Sequence, residues 1–436
     1  MASTYLTRAI GTPTNAKKAT FSAWIKKSNY YTPDVIFSAT SGGTDYLKIN
    51  FENHSHLYVY SPNSQIRLES SRAFQDSTAW YHIFVAFDTT QAVASNRVKI
   101  YVNNIHITDF EIEFLPSLNA DLPLGNNSYN FKIGEYGGTY FDGLMSHVNF
   151  IDGTAYAPTD FGEVDSATNI WKIKHSPIVT YGNNGFFILK NGNSVTDASS
   201  NSNNFTVSGG TLTKSEDSPS NNFTTMSPLK GVFPNSAFAK GNNELVTYAR
   251  LNEASYDVNA HAMESGKYYM EAKAAATNVV DSIDGIFTIG IAETPAYHAL
   301  LPLGKTPESY GYYSDNGNIT NNDTSSSYGA TYGIGDIIGV ALDLDNSILT
   351  FYKNGVSQGN TSIQTVSGNP YKTYMFALGC NNSSNTTTVT WQANFGNGYF
   401  GSTAVTSAGN NSSGIGIFEY DVPSGFTAVS TKGFNL

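Results

Sequence analysis

Short runs of alternating apolar and polar residues, each closed by a cluster of turn formers, recur along almost the whole chain, and no stretch carries a sustained helical period. The run Phe21-Ser22-Ala23-Trp24-Ile25 opens the series. Trp80-Tyr81-His82-Ile83-Phe84-Val85-Ala86-Phe87-Asp88 follows, with Tyr81, Ile83, Val85 and Phe87 on one face. Successive side chains of a strand point to opposite faces, so this pattern means half-buried antiparallel strands. Val98, Ile100 and Val102 then alternate up to Asn103-Asn104, a pair that tolerates left-handed backbone and suits a hairpin turn before Ile105. The best-marked hairpin runs over 337–344, turns at Asp345-Asn346, returns over 347–352 and ends on Lys353-Asn354-Gly355.

A chain of 436 residues is too long for one hydrophobic core. The alternation predicts an all-β protein of two antiparallel, jelly-roll-like β-sandwiches, one over residues 1–175 and one over 241–436 with a C-terminal tail. Between them, over 176–240, turn residues crowd around two short apolar pieces, which reads as a connector carrying short hairpins. Only 14% of residues are charged, and 39 Gly, 28 Tyr and 26 Phe suit many short strands better than helices. An aromatic content of 13% argues against disorder. A net charge of −11 without a dense Lys/Arg run argues against a nucleic-acid partner. The single cysteine, Cys380, cannot form an intramolecular disulfide and follows the apolar run 374–379, as an inert core thiol would. The first residues have no signal-peptide apolar region, and no apolar run is long enough for a membrane-spanning helix. The expectation is a protein made in a cytoplasm, not inserted in a membrane, and released by lysis or inside a larger particle.

Two resemblances rest on particular residues. The segment 21–163 resembles a laminin-G/concanavalin-A-like module through Phe21-Ser22-Ala23-Trp24-Ile25-Lys26, Trp80-Tyr81-His82, the run 97–104, Ile133-Gly134-Glu135-Tyr136, and Phe141-Asp142-Gly143-Leu144-Met145-Ser146-His147-Val148. The segment 266–400 resembles a SPRY domain through Gly266-Lys267-Tyr268-Tyr269-Met270-Glu271, Gly290-Ile291-Ala292, Gly335-Asp336-Ile337 up to Lys353-Asn354-Gly355, and Asn394-Phe395-Gly396. The order of the two modules, with the closing motif 418–426, is similar to virion proteins of tailed phages, especially marine ones. That resemblance implies a fibre, spike or capsid-surface component, in a homo- or hetero-oligomeric assembly with other virion proteins. Both folds host many functions, so the likeness implies more about structure than about activity.

Few residues carry candidate chemistry. In Asp109-Phe110-Glu111-Ile112-Glu113, strict alternation puts Asp109, Glu111 and Glu113 on one face, neighbours roughly 6–7 Å apart. Carboxylates about 5–10 Å apart serve glycoside hydrolysis, but the order differs from the Glu-x-Asp-x-(x)-Glu of concanavalin-like glucanases. A solvated strand face is the first reading, with a metal-binding or carbohydrate-contacting role and a hydrolase as alternatives. His54 and His56 share a strand face but show no third ligand, so no metal ligands are assigned and no cofactor is expected. Calcium lacks a motif, although laminin-G-like modules sometimes hold it. His82 reads as a satisfied edge residue. For binding, the Gly-rich tip Tyr136-Gly137-Gly138-Thr139-Tyr140, with Asp142 beside it, can present aromatic rings to a sugar. Tyr312 and Tyr313 in Tyr310-Gly311-Tyr312-Tyr313 invite the same argument, while for both groups packing of the tyrosines on neighbouring strands is the first reading.

No catalytic set stands in its required context. The expectation is a non-catalytic virion protein contacting host-surface glycans or envelope, where avidity offsets weak single sites. The main alternative is a purely architectural decoration or connector protein, with a carbohydrate-active enzyme a distant third.

Overall fold

The computed structural model describes residues 3–28, 33–124, 129–228, 236–248, 255–278, 286–293, 301–381 and 387–435. It is all-β, with antiparallel sheets and only 3-10 turns as helix among the described residues. No helix among them is long and apolar enough to cross a membrane. The chain divides into two compact units, residues 1–214 and 215–436.

The first unit stacks two sheets. One has eight strands in the order Phe110–Phe114, Ile66–Ala73, His56–Ser61, Tyr46–Phe51, Asp34–Thr40, Asn130–Ile133, Tyr5–Ala9, Thr206–Ser208. The other has six, in the order Phe186–Ile188, Gly143–Asp152, Lys18–Lys27, Tyr81–Asp88, Val98–Val102, Ile105–Ile107. The alternation expected from the sequence sends Phe21, Ile83, Val85 and Phe87 into the space between them, with Phe37, Leu47, Val59, Leu68 and Phe131 from the facing sheet. Phe37 sits at the centre, its ring 5.0 Å from Phe21, 5.3 Å from Phe131 and 5.5 Å from Phe150. The Asn103-Asn104 turn forms as expected, both residues taking positive φ.

The boundary differs from the sequence reading. Residues 186–188 pair with Gly143–Asp152, and residues 206–208 pair with Tyr5–Ala9 at the far edge of the eight-stranded sheet. Phe186 is fully buried, 4.6 Å from Phe205 and 6.0 Å from Phe150. The supposed connector thus completes the first sandwich up to residue 214, and the second unit starts at 215. Three-residue strands carry too little alternation to reveal a partner some 40 to 200 residues away.

The second unit also stacks two sheets. One orders Ala237–Ala239, Glu244–Tyr248, Thr388–Asn394, Lys267–Thr277, Ile337–Asp343, Ile348–Lys353 and Val356–Ser362, with Thr427–Ala428 added in parallel to Lys267–Thr277. The other orders Ser255–Val258, Met375–Asn381, Ile286–Ala292, Tyr310–Tyr313, Asn318–Asn321 and Thr324–Ser327. Trp391, Phe287, Tyr312, Phe351 and Leu378 meet between them, and Cys380 is buried as expected. Asn354-Gly355 forms a two-residue turn with both φ positive, as the hairpin motif requires.

The C-terminal tail is latched to this unit by one buried carboxylate. Glu271 accepts backbone N–H bonds from Glu419 at 2.8 Å and Tyr420 at 2.9 Å, and the Tyr269 hydroxyl lies 3.2 Å away. Phe418, Val422 and Ala428 pack beside it on Tyr269 and Phe223. Burial pushes the Glu271 carboxyl from 4.5 up to about 7, against the opposing pull of those hydrogen bonds. Burial likewise raises the Asp257 carboxyl to about 6.

Two outcomes follow from this packing. Residues 1–214 unfold cooperatively in urea whereas 1–175 do not, and Phe186→Ala costs about 3–5 kcal/mol in the former. In the second unit the native state holds protons that the unfolded chain has released, so stability falls as pH rises from 4.5 to 7. Urea midpoints of residues 215–436 at pH 5 and pH 8 show this loss, and Glu271→Gln removes on the order of 3 kcal/mol of it.

Candidate functional site

A sandwich has two inner and two outer sheet faces, and apart from its connecting loops a ligand reaches only an outer face that nothing else covers. In the first unit the outer face of the six-stranded sheet is covered. The hairpin of Gly162–Val164 and Trp171–Ile173 lies over it, packing Trp171 and Ile173 with Trp24 and Trp80, while Phe161 and Tyr181 pack with Phe84, Ile151 and Phe187. His82 lies inside this lid, stacked on Trp24 at 5.0 Å and on Trp171 at 5.8 Å. Trp171 Nε1–H donates to His82 Nδ1 at 3.1 Å, so Nε2–H faces the Ser22 hydroxyl at 2.8 Å. Burial lowers this imidazole to about 3 and keeps it neutral. His82 is satisfied, as expected, but on an interior strand of the sheet instead of an edge.

In the second unit the latched tail lies over the outer face of the eight-stranded sheet, where Phe418, Val422 and Ala428 join Tyr269 and Ala341. Leu303 packs with Tyr256, Val258, Ala292, Met375 and Ala377 on the outer face of the other sheet. This double covering decides the fate of two expected binding residues. Tyr312 points inward, against Tyr332 at 5.0 Å and Phe351 at 5.1 Å, and its hydroxyl donates to the Ala330 carbonyl. Tyr313 points outward but lies under the 301–309 segment, its hydroxyl donating to the Leu303 carbonyl at 2.8 Å. Both are buried, so neither presents a ring to a ligand.

The outer face of the first unit's eight-stranded sheet is different: its aromatics are mostly half-buried and polar groups flank them. Tyr46, Tyr60 and Tyr136 are half-buried, and Tyr58 beside them is largely covered. The rings form a chain, with Tyr58–Tyr60 at 5.5 Å, Tyr60–Tyr46 at 5.7 Å and Tyr46–Tyr136 at 4.4 Å. Lys48 Nζ lies 5.2 Å from the Tyr58 ring and pairs with Glu52 at 3.0 Å, while Arg67 Nε–H donates to the Tyr58 hydroxyl at 3.0 Å. Burial, then the hydrogen bond to Tyr136, raises the Tyr46 hydroxyl well above an ordinary phenol. Glu52, Tyr58, Arg67 and Glu69 line an open groove of about 320 Å³ at one end of this face.

The Gly-rich tip expected from the sequence lies at the other end. Gly137 and Gly138 both take positive φ and turn a two-residue hairpin between Glu135–Tyr136 and Thr139–Tyr140, with Gly138 N–H donating to Glu135. Tyr136 joins the ring chain, and Tyr140 is half-buried 6.2 Å from Tyr5. Asp142 uses its backbone structurally: its N–H donates to Asp34 and its carbonyl accepts from Ser28.

The acidic triplet does not keep strict alternation. The register of Phe110–Phe114 against Ile66–Ala73 shifts between Phe110 and Ile112, so Glu111 is a bulged residue and Asp109, Glu111 and Glu113 do not form one regular row. Glu111 is brought instead towards His56 and Glu69. His54 lies in the turn Asn53–Ser55 with φ 62°, not on the strand with His56. His56, Glu69 and Glu111 come from three strands, a grouping that the sequence reading did not bring together. Also missed were Tyr46, Lys48, Tyr58, Tyr60 and Arg67, although the alternation in 46–51 and 56–61 places Tyr46, Lys48, Tyr58 and Tyr60 opposite the apolar Leu47, Ile49, Leu57 and Val59.

These features define two sandwich modules, one with an open aromatic face and one sealed on both sides over its central strands. Comparison with known proteins gives the same division: residues 2–158 match the concanavalin A-like lectin/glucanases superfamily, and residues 268–393 match the SPRY domain. Ran-binding protein 9 of Danio rerio is 35% identical over 95 residues, covering 22% of this chain and 15% of that protein. The Ran-binding proteins 9/10 homolog of Drosophila melanogaster is 30% identical over 125 residues, covering 27% of this chain and 12% of that protein. The chain thus spans under a sixth of the length of these two relatives. Among solved structures, the SPRY domain of human HERC1 has 16% identity and a TM-score of 0.31, covering 38% of this chain and 96% of that one. Stonustoxin has 12% identity and a TM-score of 0.28, covering 39% and 27%.

Proposed function

We propose that this protein works by binding and not by catalysis, with the tyrosine face of residues 1–214 as its contact surface for host-surface glycans. The observation that carries this reading is the ring chain Tyr58–Tyr60–Tyr46–Tyr136, flanked by Lys48 and Arg67, on the outer face of the eight-stranded sheet, where the Glu135–Tyr140 hairpin covers the neighbouring strand Asp34–Thr40 and leaves Tyr46, Tyr60 and Tyr136 half-exposed. Tyrosines give broad, rigid, amphipathic contact area at low entropic cost, and nearby charged groups supply hydrogen bonds to hydroxyls. The SPRY-matching unit suits protein binding, a role in keeping with the names of the Ran-binding relatives. The finer placement, a fibre, spike or capsid-surface component of a virion, is supported by the resemblance of the module order to tailed-phage virion proteins.

A purely architectural role is the second reading. Exposed Val164 and Ile170, near the turn of the covering hairpin, and Ile178, 96% exposed, offer apolar surface for another virion protein.

A glycan array probed with the full chain decides between them. Saturable binding, weakened at least ~10-fold by Tyr60→Ala with Tyr136→Ala while circular dichroism stays unchanged, supports the glycan reading. Absence of any glycan binding, with uptake only onto a particle lacking the protein, supports the architectural one. Release of reducing sugar that Glu111→Gln abolishes overturns the non-catalytic reading.

A further inference from the structure

We propose that His56, Glu69 and Glu111 bind a divalent transition metal ion of the Zn²⁺ class at the edge of the first unit's eight-stranded sheet. One ring nitrogen of His56 and one carboxylate oxygen from each glutamate lie within 4.8 Å of one another. A tetrahedral ion about 2.1 Å from each ligand sets them about 3.4 Å apart, so a movement of about 1 Å closes the set. The Glu111 side chain, 54% exposed on an edge strand, is free to make it.

Two irregularities of the sheet create this convergence. The strand Ile66–Ala73 loses regular register with His56–Ser61 between His56 and Tyr58, and again with Phe110–Phe114 around Glu111. Both faults meet at Ser70, whose hydroxyl accepts from Leu57 N–H at 2.9 Å and donates to the Arg72 carbonyl at 2.7 Å. In a regular ladder the side-chain alternation of three strands is fixed; a bulge re-aims single side chains, and here it is associated with three potential ligands in one place. The Ser70 carbonyl also accepts from His56 Nδ1–H at 2.6 Å. That bond fixes the ring orientation and, in the neutral ring, leaves the lone pair on Nε2, the arrangement that supports metal-ligating histidines.

Ligand chemistry sets the class of ion. One imidazole with two carboxylates suits a borderline divalent transition metal, whereas calcium takes six to eight oxygens. Three protein ligands leave a coordination position open, and Glu69 also lines the groove beside Arg67. The site stands or falls independently of glycan binding.

Isothermal titration of the full chain with Zn²⁺ alone tests it. One ion binds per chain, His56→Ala and Glu111→Gln each weaken binding at least ~10-fold, and Glu113→Gln leaves it unchanged. Because Glu111 is exposed, Glu111→Gln keeps the metal-free melting curve, so its loss of binding is read on a folded chain. No uptake below about 100 µM, binding unchanged in both ligand variants, or a preference for Ca²⁺ over Zn²⁺ overturns the proposal.

Discussion

The burial of one face of each sheet against its partner sheet is the constraint from which the rest follows. In the first unit the phenylalanine cluster around Phe37 locks the two sheets together, and each strand is thereby committed to a register. Because the side-chain period is two, sending Leu47, Ile49, Leu57 and Val59 inward sends Tyr46, Lys48, Tyr58 and Tyr60 outward. A slip of one residue would bury a lysine and tyrosine hydroxyls in the core and expose the aliphatic side chains. The outward position of these tyrosines is therefore a consequence of core packing.

What separates the two units is the fate of their outer faces. The SPRY-matching unit carries packing on both: the tail latched through Glu271 on one side and Leu303 with its neighbours on the other. In the first unit the Trp171 hairpin seals one face over a neutral, stacked His82, and the opposite face keeps polar groups around its tyrosines. The bulges that meet at Ser70 add a second kind of feature there. They break the ladder at the edge of the same face and gather His56, Glu69 and Glu111 from three strands.

Local signals carried the fold. The runs around Trp24, Ile83 and Val340, and the turns at Asn103-Asn104 and Asn354-Gly355, depend on near neighbours, so alternation and turn chemistry suffice to read them. The apolar pieces at 186–188 and 206–208 were visible, but their place in the first sandwich was not, since it depends on distant partners. Tyr312 and Tyr313 illustrate a second limit. Adjacent residues point to opposite faces, and a sequence does not show that Leu303 covers one face while Phe351 and Tyr332 fill the other. The Tyr136 tip was legible from its Gly-Gly turn, whereas its stacking on Tyr46 needed the sheet order. The acidic triplet is exposed, as its first reading has it, but regular alternation was assumed where a bulge interrupts it.

Tetranitromethane labelling of the folded chain, with the modified tyrosines mapped by peptide mass spectrometry, measures the open-face claim directly. The account predicts early nitration of Tyr60, Tyr136 and Tyr140, with Tyr269, Tyr312, Tyr332 and Tyr374 protected until the protein unfolds. Nitration of Tyr312 or Tyr313 as fast as that of Tyr136 would contradict it.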